Sequence, residues 1–229
     1  MREPTASTPL TEGGQPPARR TAIKFCGLTR LVDAAAAVRF GAGYLGVIFA
    51  GGPRRLTATR AAEVLAAAEG SCARVGVFGA VPPEEIAAVA AAVALDVVQL
   101  HGDPTPADVE SVRRAFAGEV WAVVRTAGVS LPAETAALFL AADAVVLDAR
   151  VAGALGGTGV ALDWSALAAA VARARGHRRL VLAGGLTADN VASAARILTP
   201  DVVDVSSGVE QAPGVKDHGR MARFAAAVR

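Results

Sequence analysis

Short apolar runs alternate along this chain with longer segments that are apolar on one face only. Eight such runs follow one another, at residues 22–25, 45–49, 75–78, 97–100, 120–124, 144–147, 180–182 and 202–205. The segments between them carry apolar residues three or four positions apart, as at Val109, Val112 and Phe116, and this spacing predicts helices. Strands that alternate with helices in this way predict a parallel sheet.

Local signals predict where some of these helices begin and which face they bury. The first helical segment has a stripe at Leu31, Ala35 and Val38, which we expect to face the core. Thr105 is followed by a proline and then by an acidic residue, the pattern of a capped helix start. Thr187 predicts a similar cap for the helix that precedes the last strand.

The length of the chain fits one closed barrel. Such a barrel takes ~250 residues and at least ~200, and this chain has 229. The alternative is an open doubly wound sheet, but no GxGxxG motif follows the first strand. We therefore predict an α/β fold, a single-domain (β/α)8 TIM barrel over residues 21–229. Residues 1–20 are rich in Pro, Gly, Thr and Ser, and we expect a disordered extension there.

Composition excludes several classes of function. The net charge of +2, from 23 basic and 21 acidic residues, is not the basic excess of a dedicated nucleic-acid-binding protein. The longest apolar run, residues 86–95, is far shorter than the ~20 residues of a membrane span. Two cysteines without a CxxC or Cys/His cluster predict neither a disulfide framework nor a metal site. Because a signal-peptide pattern is also lacking, we expect a cytoplasmic protein with free thiols, in which Cys72 is structural.

Two consecutive strands near the C-terminus end in turns of small residues. Gly184 and Gly185 follow the seventh run, and Ser207 and Gly208 follow the eighth. Glycine lets the backbone approach a ligand closely, and free N–H groups and hydroxyls donate to anions. In a barrel of this type the loops after strands 7 and 8 often form a phosphate site. The sequence therefore predicts that these four residues bind the phosphate group of a small molecule.

The motifs at the strand ends, taken together, resemble those of phosphoribosylanthranilate isomerases. They are KFCGLTR at 24–30, GGPRRL at 51–56, VQLHG at 98–102, GGTG at 156–159, LAGGLTADNV at 182–191 and DVSSGVE at 204–210. The resemblance extends from residue 22 to the end of the chain. Each motif alone is weak, but their combination in this order is specific.

The resemblance implies an isomerase of L-tryptophan biosynthesis. Its reaction is the Amadori rearrangement of N-(5-phosphoribosyl)anthranilate to 1-(2-carboxyphenylamino)-1-deoxy-D-ribulose 5-phosphate. This chemistry needs a general acid to open the ribose ring and a general base to remove the C2 proton, and it requires no metal and no cofactor. The implied partner is a phosphorylated small molecule, and the sequence leaves a monomer or a homodimer open.

The resemblance also implies roles for individual residues. Asp148 matches the general acid and Cys26 the general base, and a modest lowering of its pKa would make a thiol a usable base near neutral pH. Arg54 matches the arginine that pairs with the anthranilate carboxylate, although Arg55 follows it directly and remains the alternative. His101 matches a histidine that lines the substrate pocket, and we assign it no proton transfer.

Two further expectations depend on the same resemblance. Gly156, Gly157 and Gly159 would form a mobile loop that closes over the substrate. A bifunctional isomerase that also acts on the histidine-pathway aminoimidazole carboxamide ribonucleotide is the nearest alternative, but the first half of the chain lacks a second phosphate motif and strand 1 ends in Cys26 rather than Asp. An inactive barrel that senses a phosphorylated sugar is the alternative from another class, and the presence of both Cys26 and Asp148 argues against it.

Overall fold

Eight parallel strands form a closed barrel, in which each strand neighbours the next along the chain. The computed structural model describes residues 20–68, 70–126, 129–149 and 163–229. The strands are β1 (Ala22–Phe25), β2 (Tyr44–Ile48), β3 (Ala73–Phe78), β4 (Val97–Leu100), β5 (Glu119–Thr126), β6 (Ala144–Ala149), β7 (Arg179–Leu182) and β8 (Val202–Val205). Four residues of β1 pair with four of β8, from Ala22 with Val202 to Phe25 with Val205. The predicted (β/α)8 barrel is therefore confirmed.

Helices follow the strands and cover the barrel. They are α1 (Leu31–Arg39), α2 (Ala58–Leu65), α3 (Pro83–Val93), α4 (Pro106–Ala115), α5 (Thr135–Ala141), α6 (Trp164–Arg175), α7 (Val191–Leu198) and α8 (His218–Val228). A short antiparallel pair, β9 (Glu210–Ala212) and β10 (Val215–Lys216), precedes α8 and was not predicted from the sequence. None of the helices in the described ranges has the length and apolarity to cross a membrane.

The start of α4 confirms one of the sequence signals. The Thr105 hydroxyl accepts a hydrogen bond from the Asp108 N–H, and the Asp108 carboxylate accepts one from the Thr105 N–H at 2.8 Å. Such reciprocal bonds satisfy amides that the first helical turn leaves without an acceptor. The predicted stripe of α4 also faces inward, since Val109 and Val112 are buried.

The predicted stripe of α1 is wrong at two of its three positions, since only Val38 packs against the core. Leu31 is 50% exposed and Ala35 is also exposed, while Asp33 is fully buried. The Asp33 carboxylate accepts hydrogen bonds from the Arg30 side chain at 2.8 Å and from the Lys216 N–H at 3.2 Å. It also pairs with the His218 ring at 2.8 Å. A carboxylate with this many partners can be buried, so α1 turns a polar residue toward β10 instead of its apolar stripe.

Structural contacts hold the N-terminal end of the barrel together. The first residues of β2, β5 and β7 meet there: Arg179 donates to the Glu119 carboxylate at 2.7 Å and to the Tyr44 hydroxyl at 2.8 Å. Trp121 is fully buried inside the barrel, and its Nε1 donates to Glu119 at 2.9 Å. Its ring meets that of Tyr44 edge to face, with centroids 5.0 Å apart. We call Tyr44, Glu119, Trp121 and Arg179 the floor cluster.

Candidate active site

A cavity of about 400 Å³ opens at the C-terminal end of the strands, opposite the floor cluster. Its volume is that of a typical small-molecule site. All eight residues singled out from the sequence lie in its wall: Cys26, Arg54, His101, Asp148, Gly184, Gly185, Ser207 and Gly208. The fold thus brings together residues that are up to about 180 positions apart, because the ends of parallel strands meet at one face of a barrel.

Cys26 follows β1 and is nearly buried, at 6% exposed. Space for its thiol exists because residue 46 of β2 is a glycine: a Cβ there would lie 3.0 Å from the Cys26 Sγ and 3.2 Å from the Lys24 Cε. Burial raises the pKa of the Cys26 thiol, and the neighbouring Lys24 ammonium opposes this shift without cancelling it. The expectation of a lowered pKa is therefore wrong for this site, because desolvation of the thiolate outweighs the nearby positive charge.

Lys24 and Asp204 form a buried ion pair beside this thiol. They are paired in register on β1 and β8, and the Lys24 Nζ lies 2.7 Å from the Asp204 Oδ2. Burial alone would lower the pKa of Lys24, but the Asp204 carboxylate and the Cys26 thiolate together outweigh it, and the pKa lies above its usual value. Lys24 interrupts the apolar run of strand 1, and this is the sequence signal from which the buried ion pair could have been predicted.

Asp148 lies near the end of β6, and its carboxyl faces the cavity. It is 7% exposed, and its Oδ2 lies 3.9 Å from the His101 Nε2. Arg125 is its partner in register on β5. The Arg125 guanidinium donates to the Asp103 carboxylate at 2.7 Å, which raises the pKa of Arg125. Asp148 therefore lies among a histidine and a permanent cation at the mouth of the barrel.

Arg54 is held in the cavity wall by a carboxylate that sequence reasoning missed. Its Nε and Nη2 donate to the two oxygens of Glu210 at 2.9 and 2.7 Å. The Lys216 Nζ donates to the same carboxylate at 2.8 Å and to the Cys26 carbonyl at 2.6 Å. Burial disfavours the charged form of Glu210, but the hydrogen bonds from Arg54 and the Lys216 charge outweigh it and lower the pKa of Glu210. Arg55, in contrast, is exposed and does not line the cavity.

The two glycine-containing turns lie side by side. Gly184 and Gly185 both have positive φ, +83° and +66°, which side chains disfavour. A Cβ on Gly208 would lie 2.0 Å from the Leu186 carbonyl oxygen, so the turns are in direct contact. The Asn190 side chain fixes the first turn by donating to the Gly185 carbonyl at 2.9 Å.

The helix after the first turn begins later than the sequence indicated. Thr187 does not cap it: α7 starts at Val191, and the Thr187 N–H donates to the Asn190 Oδ1 at 2.8 Å. Thr187 and Asn190 instead form a turn of their own before the helix. The polar turn keeps the Gly184–Gly185 segment close to the cavity rather than inside a helix.

Substituting alanine for Gly208 is expected to destabilise the fold by about 1–3 kcal/mol, the usual range for forcing extra volume into a packed site. The added methyl group would collide with the backbone of Leu186, which cannot move without disturbing the neighbouring turn. Urea denaturation measures the difference in the free energy of unfolding. Gly79→Ala is the matched control, because the nearest atom to a Cβ there is 3.8 Å away. Equal stability of the two variants would show that the turns are not in rigid contact.

The remaining expectations concern the glycine loop, the N-terminal extension, Cys72 and a metal site. Gly156, Gly157 and Gly159, assigned to a mobile loop, lie outside the described residues, and so does the proposed disordered extension up to residue 19. Cys72 is away from the cavity wall, and its thiol donates to the Ala42 carbonyl at 3.0 Å, as fits a structural residue. Within the described ranges no cluster of His, Cys, Asp and Glu could hold a metal ion.

Comparison with known proteins points to one family. The model of the N-(5'phosphoribosyl)anthranilate (PRA) isomerase family matches residues 23–227. An N-(5'-phosphoribosyl)anthranilate isomerase of Rubrobacter xylanophilus is 42% identical over 209 residues, which cover 90% of this chain and 98% of the relative. The solved phosphoribosyl anthranilate isomerase of Thermotoga maritima has a TM-score of 0.80 at 32% identity, over 91% of this chain and 98% of its own. A phosphoribosyl anthranilate isomerase solved in complex with reduced 1-(o-carboxyphenylamino)-1-deoxyribulose 5-phosphate has a TM-score of 0.76 at 32% identity, over the same shares.

Proposed function

Because the chain belongs to the N-(5'-phosphoribosyl)anthranilate isomerase family of tryptophan biosynthesis, we propose that it rearranges N-(5-phosphoribosyl)anthranilate with Asp148 as acid and Cys26 as base. The product is 1-(2-carboxyphenylamino)-1-deoxy-D-ribulose 5-phosphate. One observation carries the proposal: a single cavity has a thiol, a carboxyl, an arginine and two glycine-containing turns in its wall. These groups match, one for one, the demands of this substrate and this reaction.

Ring opening is the first step, and Asp148 supplies its proton. Protonation of the ribose ring oxygen lets the bond between that oxygen and C1 break while the nitrogen lone pair forms a C=N bond. A positioned carboxyl contributes to such a step by general acid catalysis. The small exposure of Asp148, 7%, supports this role because it limits competition from water.

Removal of the C2 proton is the second step, and Cys26 supplies the base. The thiolate takes the proton, the electron pair of the C–H bond forms a C1–C2 double bond, and the nitrogen is neutralised. The ketone then forms as C1 receives a proton from the Cys26 thiol and the C2 hydroxyl loses one. The proton lost by that hydroxyl passes through solvent to the Asp148 carboxylate, so acid and base both return to their starting forms. Lys24 favours the thiolate form of Cys26.

Arg54 binds the anthranilate carboxylate. Two cationic side chains, Arg54 and Lys216, share the single carboxylate of Glu210. One positive charge at this side of the cavity is therefore in excess, and a substrate carboxylate neutralises it. Glu210 occupies the Nε–Nη2 edge of Arg54, so the Nη1–Nη2 edge is the one that matches the planar substrate carboxylate with two parallel hydrogen bonds.

The phosphate group binds to Gly184, Gly185, Ser207 and Gly208, in the turns that follow β7 and β8. Positive φ angles at the first two residues bring backbone amides toward the cavity without a side chain in between. The relative solved with a reduced carboxyphenylamino-deoxyribulose 5-phosphate supports a ligand of this length, which has a carboxylate at one end and a phosphate at the other.

A turnover assay tests the proposed function. The purified protein should consume N-(5-phosphoribosyl)anthranilate, which is followed as a loss of its anthranilate fluorescence. The histidine-pathway aminoimidazole carboxamide ribonucleotide is the second substrate in the assay, and it should not be converted. Conversion of both would indicate the bifunctional isomerase, and conversion of neither would indicate a binding protein.

Arg54→Ala is expected to raise KM by about 10- to 100-fold with a smaller effect on kcat, since it removes a charge-assisted pair worth about 1.5–3 kcal/mol. Steady-state kinetics of the isomerase reaction measures both constants. Arg55→Ala is the matched control, because Arg55 is the neighbouring, exposed arginine. A normal KM for Arg54→Ala together with a raised KM for Arg55→Ala would move the carboxylate site by one residue.

A further inference from the structure

We propose that the Oδ1 of Asp204 accepts a hydrogen bond from the substrate hydroxyl on C2, the carbon from which the proton is removed. This inference rests on the proposed function and adds a residue that recognises the ribose itself. Neither the acid, the base nor the two anion sites distinguishes a ribosyl from a deoxyribosyl substrate. Asp204 gives the enzyme that distinction.

Asp204 has one satisfied and one unsatisfied oxygen. Its Oδ2 accepts a hydrogen bond from the Lys24 Nζ at 2.7 Å. Its Oδ1 is buried and accepts no hydrogen bond from any described residue. Burying a carboxylate oxygen without a hydrogen-bond donor destabilises the folded protein. Because Asp204 is only 8% exposed, solvent cannot readily supply that donor. This arrangement is expected where a ligand supplies the missing donor.

The missing donor must come from the cavity. Asp204 forms part of the cavity wall, so a ligand that fills the cavity is the nearest source of a hydrogen-bond donor. The ion pair with Lys24 occupies Oδ2, which leaves Oδ1 as the oxygen available to a ligand. Of the functional groups on the proposed substrate, only the hydroxyls and the amine donate hydrogen bonds. The Asp204 carboxylate repels the two anionic ends of the substrate, its carboxylate and its phosphate.

The position of Asp204 selects the C2 hydroxyl among these donors. The Lys24 Nζ lies 2.7 Å from the Asp204 Oδ2, and the Lys24 side chain and the Cys26 Sγ both pack against Gly46, so the acceptor and the base lie close together in the cavity wall. The base must reach the hydrogen on C2, and the hydroxyl on that same carbon is then the nearest donor. A hydrogen bond from this hydroxyl to Oδ1 also fixes the rotation of C2, which directs its hydrogen toward the thiol.

Two other buried groups of the cavity wall compete as acceptors, the Ser206 hydroxyl and the Gln99 side chain. The hydroxyl can itself donate a hydrogen bond, so the closer competitor is Gln99. It lies in the same cavity wall, it is 2% exposed, and its Oε1 also accepts no hydrogen bond from described residues. Gln99 is on β4, on the opposite side of the barrel from β8 and β1, whereas Asp204 is on β8, next to the strand that leads to Cys26. An amide can also turn to act as a donor, while the Asp204 carboxylate only accepts.

A pair of stable ligands tests the proposal by binding alone. Reductive amination of ribose 5-phosphate with anthranilate gives an open-chain ligand that carries the C2 hydroxyl, and 2-deoxyribose 5-phosphate gives its counterpart without it. The wild-type protein should bind the hydroxylated ligand about 10- to 100-fold more tightly, as expected for a hydrogen bond to a charged group. Calorimetric titration measures both dissociation constants without any dependence on turnover.

Two variants show whether Asp204 is the acceptor. Asp204→Asn should lose most of the preference for the hydroxylated ligand, because the amide oxygen faces Lys24 and its NH2 group faces the cavity. Lys24→Met/Asp204→Leu, which replaces the whole ion pair by apolar side chains, should lose the preference entirely. Gln99→Leu is the matched control and should retain it.

The possible outcomes are distinct. Equal affinity of the wild type for the two ligands would overturn the inference and leave the proposed function intact. Loss of the preference in Gln99→Leu, with retention in both Asp204 variants, would assign the hydroxyl to Gln99 and also overturn it. If the wild type bound neither ligand, the proposed function itself would fail.

Discussion

Asp148→Asn is expected to lower kcat by about 10²- to 10⁴-fold, the usual contribution of a positioned general acid, and to change KM only a few-fold. Asparagine keeps the size and polarity of the side chain but has no proton to give to the ribose ring oxygen. The ring then opens only with a proton from water, which the low exposure of position 148 restricts. Steady-state kinetics with N-(5-phosphoribosyl)anthranilate measures the loss.

Asp103→Asn is the matched control for this experiment. Asp103 is a carboxylate at the same end of the barrel, paired with Arg125, but its side chain is 50% exposed and does not line the cavity. Its variant should retain kcat within a few-fold. Near wild-type turnover of Asp148→Asn would remove Asp148 from the role of acid, and an equal loss in both variants would point to a general effect on the charge of the site.

Cys26→Ser is expected to lower kcat by a similar factor, about 10²- to 10⁴-fold, with substrate binding retained. A hydroxyl occupies nearly the same place as the thiol, but it is far too weak an acid to supply an anionic base near neutral pH. Cys72→Ser is the control, since Cys72 lies outside the cavity wall. If Cys26→Ser turned over at the wild-type rate, another group would have to remove the C2 proton.

The pH dependence of the rate follows from the same residue. Burial raises the pKa of the Cys26 thiol above its usual value, so only a minor fraction is thiolate at neutral pH in the free enzyme. The wild-type kcat/KM should therefore increase as the pH rises from 7 toward that pKa, and this increase should be absent from the residual activity of Cys26→Ser.

The sequence predicted the fold well because the strands are buried on both faces. Each strand then appears as a short, mainly apolar run, although β1, β4 and β8 each contain one polar residue. Three of the eight predicted runs, at 22–25, 97–100 and 202–205, have the bounds of the strands themselves. The helix faces were less predictable. In α1 the buried face holds Asp33 among three alanines, and the partners of Asp33, Lys216 and His218, lie more than 180 positions away. No local pattern contains such contacts.

The candidate site was predictable where residues follow the ends of strands. That rule together with the family resemblance gave Cys26 and Asp148, and both lie in the cavity wall. The residues that hold the site in place were missed. Asp204 and Glu210 were present in a quoted motif, but their partners Lys24 and Arg54 are 180 and 156 positions away. Only the closed barrel shows which charge meets which.

The floor cluster has a consequence for how this enzyme can change over generations. Tyr44, Glu119, Trp121 and Arg179 bind the starts of the strands, while the cavity lies beyond the ends of the same strands. Effects of substitutions more than about 7–10 Å apart without shared partners are usually additive. Substitutions at the mouth of the barrel that alter the preferred sugar should therefore leave the contacts of the floor cluster unchanged. The stability that these contacts provide then offsets the loss of stability that such substitutions cause. Changes of substrate preference and maintenance of the fold thus depend on different residues.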